Sequence, residues 1–158
     1  MGRAVSALIS WIACSGVACM AGMTPAQRVQ DAAYDYATAI RFGRMDVAAS
    51  QVSQDAHGAF VRQHAAWGNT LRVLDCELMA LRLREKDHAE VVVSVSWQRV
   101  DEVETRVTQV AQRWKDDSGS WRLENEERSR GDVGLLGEPV TLVPPPAGPS
   151  QFRTITIR

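Results

Sequence analysis

Apolar positions along this chain fall into two successive textures. From Thr24 onward they recur at three- and four-residue steps, with Val29, Ala33, Tyr36 and Ile40 on one stripe. That is the period of an amphipathic helix. Thr24-Pro25-Ala26-Gln27 marks its start: a capping hydroxyl, a proline at the first helical position and a glutamine completing a capping box. Gly43 is expected to end it in a left-handed conformation, with Arg41 and Arg44 near the negative helix end. Asp46 is expected to cap a short second helix through Val47, Ala48, Ala49 and Val52. A third helix is expected over about 53–67, with Ala56, Phe60 and His64 on one stripe and Gly68 as its stop.

After Asn69 the period changes to two. Strands are expected over 71–84, 89–100, 104–114 and 121–128, joined by short polar turns. Val91, Val93, Val95 and Trp97 alternate with Glu90, Ser94, Ser96 and Gln98; Trp121 and Leu123 alternate with Arg122, Glu124 and Glu126. Such alternation predicts antiparallel strands with one buried and one wet face. The first strand is ambiguous. Either Leu71, Val73, Met79 and Leu81 face inward and carry Asp75 and Glu77 with them, or Leu74, Cys76, Leu78 and Ala80 do and the acids stay wet. A bulge near Cys76 would reconcile both sets. The wet register is preferred, because burying two unpaired acids is costly. Helices first and a meander second predict an α+β domain of N-terminal helices packed on a curved four-stranded antiparallel sheet.

The N-terminal stretch differs from both textures. One cation, Arg3, precedes an apolar run over 4–13 and small residues at Ser15, Gly16 and Ala18, the order of a secretory signal. Two cysteines lie at its end. Gly16-Val17-Ala18-Cys19 and Trp11-Ile12-Ala13-Cys14 each resemble the lipobox of bacterial lipoproteins, without its usual leucine. Cys19 is the preferred lipidation site, Cys14 the alternative, and cleavage near Ala18 or Ala21 without a lipid is a third reading. The expected organisation is a signal peptide over 1–18, a lipid-anchor tether over 19–23, one domain over 24–138 and a proline-rich tail over 139–158. In the tail, 152–157 alternates like an edge strand. The anchored protein is expected at the outer membrane, facing the periplasm, by analogy with enteric lipoprotein sorting, since no Asp follows Cys19. A soluble periplasmic or secreted protein is the alternative.

Composition narrows the function. The chain has 158 residues, 45% apolar and 23% charged, with net charge -1. One globular domain fits this length. Near-neutral charge and mixed sign in the 124–130 run give no footing for nucleic-acid binding. Only Cys76 lies in the body, so no internal disulfide is expected there.

Tyr36-Ala37-Thr38-Ala39-Ile40, then Gly43 and Asp46-Val47-Ala48-Ala49, then Trp114-Lys115 and Gly119-Ser120-Trp121-Arg122-Leu123 resemble the NTF2-like, or cystatin-like, superfamily. The look is that of its small bacterial lipoproteins. The resemblance implies a long helix on a strongly curved sheet, with a pocket at the open end of the cone. It also brings in ketosteroid-isomerase-like relatives, in which a pocket carboxylate transfers protons. Members include enzymes, binding domains and assembly modules, so fold alone does not choose.

Asp75 and Glu77 are therefore the candidate catalytic acids, and only in the inward register. His57 and His64 stand seven residues apart, about 10.5 Å along a helix, too far to share one metal ion. No CxxC, HExxH or calcium-loop spacing occurs, so neither a metal nor another cofactor is expected. Cys76 lacks a histidine nearby in sequence to activate it. Trp67 and Trp114 are the candidate ligand-binding aromatics. The leading expectation is a membrane-tethered, non-catalytic module of the cell envelope whose partner is an envelope protein or a small apolar ligand. An isomerase or dehydratase-type enzyme is second, and a structural homodimer third.

Overall fold

A computed structural model describes residues 22–140. The expected signal peptide, Cys14, Cys19, most of the tether and the tail strand over 152–157 lie outside the described residues. The first helix, α1, spans Pro25–Arg41 and starts on the expected capping box: Gln27 N–H donates to Thr24 Oγ1 at 3.3 Å, and Thr24 N–H donates to Gln27 Oε1 at 2.8 Å. Gly43, at φ +67°, ends it as expected. The second helix, α2, spans Met45–Ser50 and corrects the expected cap. Arg44 occupies the cap position without a side-chain bond, because its N–H is held by the Ala39 carbonyl at 2.8 Å and the helix restarts at once. Asp46 falls inside the first turn, where its charge still favours the helix N-terminus.

The third helix, α3, spans Gln54–Gln63 with Ser53 as its cap, ending four residues earlier than the spacing predicts. Both the main-chain N–H of His64 (3.0 Å) and its ring Nδ1 (2.8 Å) use the Phe60 carbonyl. The helix thus ends before Gly68, and the amides of Thr70 and Leu71 then take the Ala66 carbonyl, turning the chain into the sheet.

The sheet comprises β1 (Leu71–Leu83), β2 (His88–Arg99), β3 (Thr105–Asp117) and β4 (Ser120–Gly131), antiparallel in the order β1-β2-β3-β4 and open at both edges. Val91, Val93, Val95, Trp97, Trp121 and Leu123 are buried, as are Tyr36 and Ile40 of α1. Beyond β4, Leu135 and Leu136 fold back into the same core. Their loop is pinned by Glu138, which accepts from the amides of Gly134 and Leu136 and pairs with Arg128 at 3.0 Å.

Four register shifts curl the sheet. In β1 the extra residues are Leu74 and Met79, flanking the place near Cys76 where one bulge was expected. Each reverses the side-chain phase, so Val73, Cys76, Leu78 and Leu81 all pack on the core while Glu77 faces solvent. In β4 the extra residues are Glu124 and Ser129. The first overturns one expectation. Alternation from Trp121 and Leu123 places Glu126 on the wet face, but the extra residue at Glu124 turns Glu126 inward, where it is 6% exposed.

Candidate functional site

Asp75 and Glu77 both lie outside the core. Asp75 is ion-paired with Arg41 at 3.1 Å, its side chain 42% exposed, and Glu77 is exposed. The structure does not bring them together over a pocket. Trp114 is fully buried, edge-on to Tyr36 at 5.8 Å between ring centres, and donates to Gln112 Oε1 at 3.1 Å. It is an interior residue with no face open to a ligand. Trp67 is nearly buried and donates to the Leu135 carbonyl at 2.7 Å, yet its ring still borders a surface groove. His57 is exposed and His64 buried, so they share no site. Burial above all, with Glu126 and Asp75 adding, pushes the Cys76 thiol up to about 12, the opposite of an activated thiolate. On the exposed turn between β1 and β2, ligand atoms of Glu85, Asp87 and His88 lie within 4.8 Å of one another, and His88 Nδ1 contacts Asp87 Oδ1 at 3.1 Å.

The inward acid is Glu126. Three side chains from other parts of the chain meet on it. Tyr36 of α1 donates its hydroxyl to Oε2 at 2.9 Å, and Gln112 of β3 donates to Oε1 at 2.8 Å. His64, just past α3, places Nε2 3.0 Å from Oε2, a close contact without an aligned hydrogen bond. Because a carbonyl only accepts, Nδ1 carries the proton it gives to Phe60. The imidazole is also fixed between rings, tilted on Phe60 at 4.2 Å and edge-on to Trp67 at 4.3 Å. Burial, then the Glu126 charge, raises the Tyr36 hydroxyl well above its usual range. A buried carboxylate is tolerable only with this degree of pairing.

Both Glu126 oxygens are thus engaged by the protein itself. A fissure of about 20 Å³ between α3 and β4, bounded by Phe60, Gln63, Leu123 and Glu126, lies beside the acid. That is room for one water. The fissure shares Val52, Ala56 and Ala59 with an open groove of about 770 Å³ whose rim mixes Arg113, Lys115 and Arg122 with acids. His64 was legible on the apolar stripe of its helix. Glu126 was not, since only the bulge before it sets its direction.

No protein-family model and no curated protein matches this sequence. Solved structures do share its shape. A protein of unknown function from Mycobacterium tuberculosis aligns with TM-score 0.50 at 15% identity, over 74% of this chain and 78% of its own. A scytalone dehydratase-like protein from Novosphingobium aromaticivorans aligns with TM-score 0.49 at 11% identity, over 67% and 83%. A protein of unknown function with a cystatin-like fold from Nostoc punctiforme aligns with TM-score 0.48 at 10% identity, over 68% and 91%. Identities this low say nothing about activity. Helices leading into an open, bulged antiparallel meander are the architecture of the cone, and the chain has the NTF2-like, or cystatin-like, α+β fold.

Proposed function

We propose that this domain is a membrane-tethered, non-catalytic binding or assembly module of the bacterial cell envelope. One observation carries the non-catalytic part of this reading: the inward acid, Glu126, has its two oxygens engaged by Tyr36 and Gln112, with His64 in close contact, and faces a fissure of about 20 Å³. General acid–base catalysis needs the substrate within about 2.6–3.2 Å of the catalytic group. Here that shell is filled by protein. A binding module needs only an accessible concave surface, and open grooves border the helices. The tether rests on the lipobox-like window ending in Cys19. Diacylated Cys19 would hold the domain on a leash formed by residues 20–23.

Intact-mass analysis of the mature protein tests the anchor. Two acyl chains on Cys19, and release from the membrane fraction by Cys19→Ser, are the expected results; lipid on Cys14 would move the site and an unacylated protein would remove it. An enzyme of the isomerase or dehydratase type is the second reading, favoured by the contact of Glu126 with His64 and Tyr36 inside the cone. Glu126→Gln separates the two. A folded, correctly placed variant that loses all envelope function would establish the enzyme instead.

A further inference from the structure

At the C-terminal end of α1 a second groove, about 380 Å³, runs between the turn into α2 and the start of β1. Its apolar side is made by Phe42, Met45, Trp67 and Val73, and its polar side by Arg41 and Arg72. Phe42 is 70% exposed, an unusual placement for so large an apolar side chain. The Arg41 guanidinium lies 5.8 Å from its ring centre. Gly43 and Gly68 flank the groove, both with positive φ and with open space where a Cβ would stand, so no side chain closes the mouth.

The charges at the rim do not balance. Arg41 has one carboxylate partner, Asp75, at 3.1 Å. Arg72 makes no ion pair among the described residues, and its neighbour across the sheet is the neutral Gln98. Two guanidiniums against one carboxylate leave one positive charge beside an aromatic and aliphatic wall. We infer that this groove binds a small amphipathic monoanion, a carboxylate on an aryl or medium-length alkyl body, with the head on Arg72 and Arg41 and the body on Phe42, Met45, Trp67 and Val73. The volume lies within the range of small-molecule sites, roughly 300–1,000 Å³. Arginine matches a carboxylate through two parallel N–H bonds, and it stacks on aromatic faces as well.

Position favours a freely dissolved ligand over a headgroup of the anchoring membrane. The tether joins the domain at Thr24, and the groove lies at the far end of the 17-residue α1, about 25 Å away along its axis. This inference gives the binding module of the preceding subsection its ligand class. The preference for a dissolved ligand rests on that anchored reading, whereas the groove's match to a monoanion depends on neither the lipid on Cys19 nor the state of Glu126.

The test is a titration of the full chain in zwitterionic detergent with phenylbutyrate, followed through the Trp67 indole N–H resonance, alongside neutral phenylbutanol and anionic phosphatidylglycerol vesicles. Saturable shifts of Trp67 with phenylbutyrate are expected, with phenylbutanol binding about tenfold or more weakly, the loss of one charge-assisted pair. Arg72→Gln should weaken phenylbutyrate by a similar factor. Asp75→Asn should tighten it severalfold, because it frees Arg41. Equal affinity for phenylbutanol, an unaffected Arg72→Gln variant or an unmoved Trp67 resonance would overturn the proposal, as would vesicle binding through Arg72 without binding of the dissolved carboxylate. None of these results bears on the mass at Cys19 or on Glu126→Gln, so failure here is distinct from failure of the tethered-module reading.

Discussion

The Tyr36 hydroxyl donates to Glu126 Oε2 at 2.9 Å, joining residues 90 positions apart in the chain and tying the middle of α1 to the last strand. Cα proximity between α1 and β4 is otherwise slight, since the helix lies mainly against β1. This buried bond therefore helps fix how the helix crosses the cone.

Removing it should be costly and cooperative. Tyr36→Phe is expected to destabilise the domain by about 1.5–3 kcal/mol, as for other hydrogen bonds to a charged group. Glu126→Ala should cost about 3–5 kcal/mol, because it leaves Gln112 and Tyr36 without their shared acceptor. Urea unfolding of both single variants and the double variant should give a coupling between about 0.5 and 3 kcal/mol. Strict additivity would show that the two side chains act independently.

Cys76 should be inert and should make stability fall in alkali. Its thiol is raised from 9.0 to about 12 in the folded protein. The folded state therefore keeps its proton where the unfolded chain has lost it. This contribution is complete below about pH 9 and disappears as pH rises toward 12. Peptide mapping after alkylation at pH 8 should find Cys76 modified at least about a hundredfold more slowly in the folded than in the urea-unfolded protein. Comparable rates would contradict the burial.

Gly131 should tolerate no side chain. Its φ is +86°, and a Cβ there would stand 2.2 Å from the Val107 carbonyl oxygen, a backbone atom that cannot swing aside. Gly131→Ala is expected to cost more than about 2 kcal/mol by thermal or urea unfolding. The same change at Gly43, where φ is also positive but nothing lies within 4 Å, should cost less, about 1 kcal/mol. Equal effects would mean that the left-handed conformation alone sets the penalty.

Asp75→Asn with Glu77→Gln should leave the fold nearly untouched. The Arg41–Asp75 pair is half-exposed on both sides, and such pairs contribute about 0–1 kcal/mol. A loss beyond about 1.5 kcal/mol in urea unfolding would show a structural role that neither carboxylate's surroundings suggest.

Much of this architecture was legible in residue order. Thr24 and Gln27 announced the first helix, the 91–97 alternation announced the inner face of β2, and His64 stood on its helix's apolar stripe. Local chemistry decides such features: a cap is satisfied within one turn, and a regular strand keeps its phase from one residue to the next. The site was harder to read. Glu126 sits in a run that reads as charged surface, and its neighbours on the page are Asn125 and Glu127.

What the sequence by itself determined is the element order, the α+β class and the faces of β2 and of the start of β4. What only the tertiary structure decided is where those segments change phase. One extra residue at Glu124 sends Glu126 inward, and extra residues at Leu74 and Met79 let Val73, Cys76, Leu78 and Leu81 all pack on the core. A bulge leaves no fixed signature in composition or period; it forms where pairing with the neighbouring strand and closure of the curved sheet require it. For the same reason Tyr36, His64, Gln112 and Glu126, far apart in the chain, come together in one buried cluster only once the sheet has curled around α1.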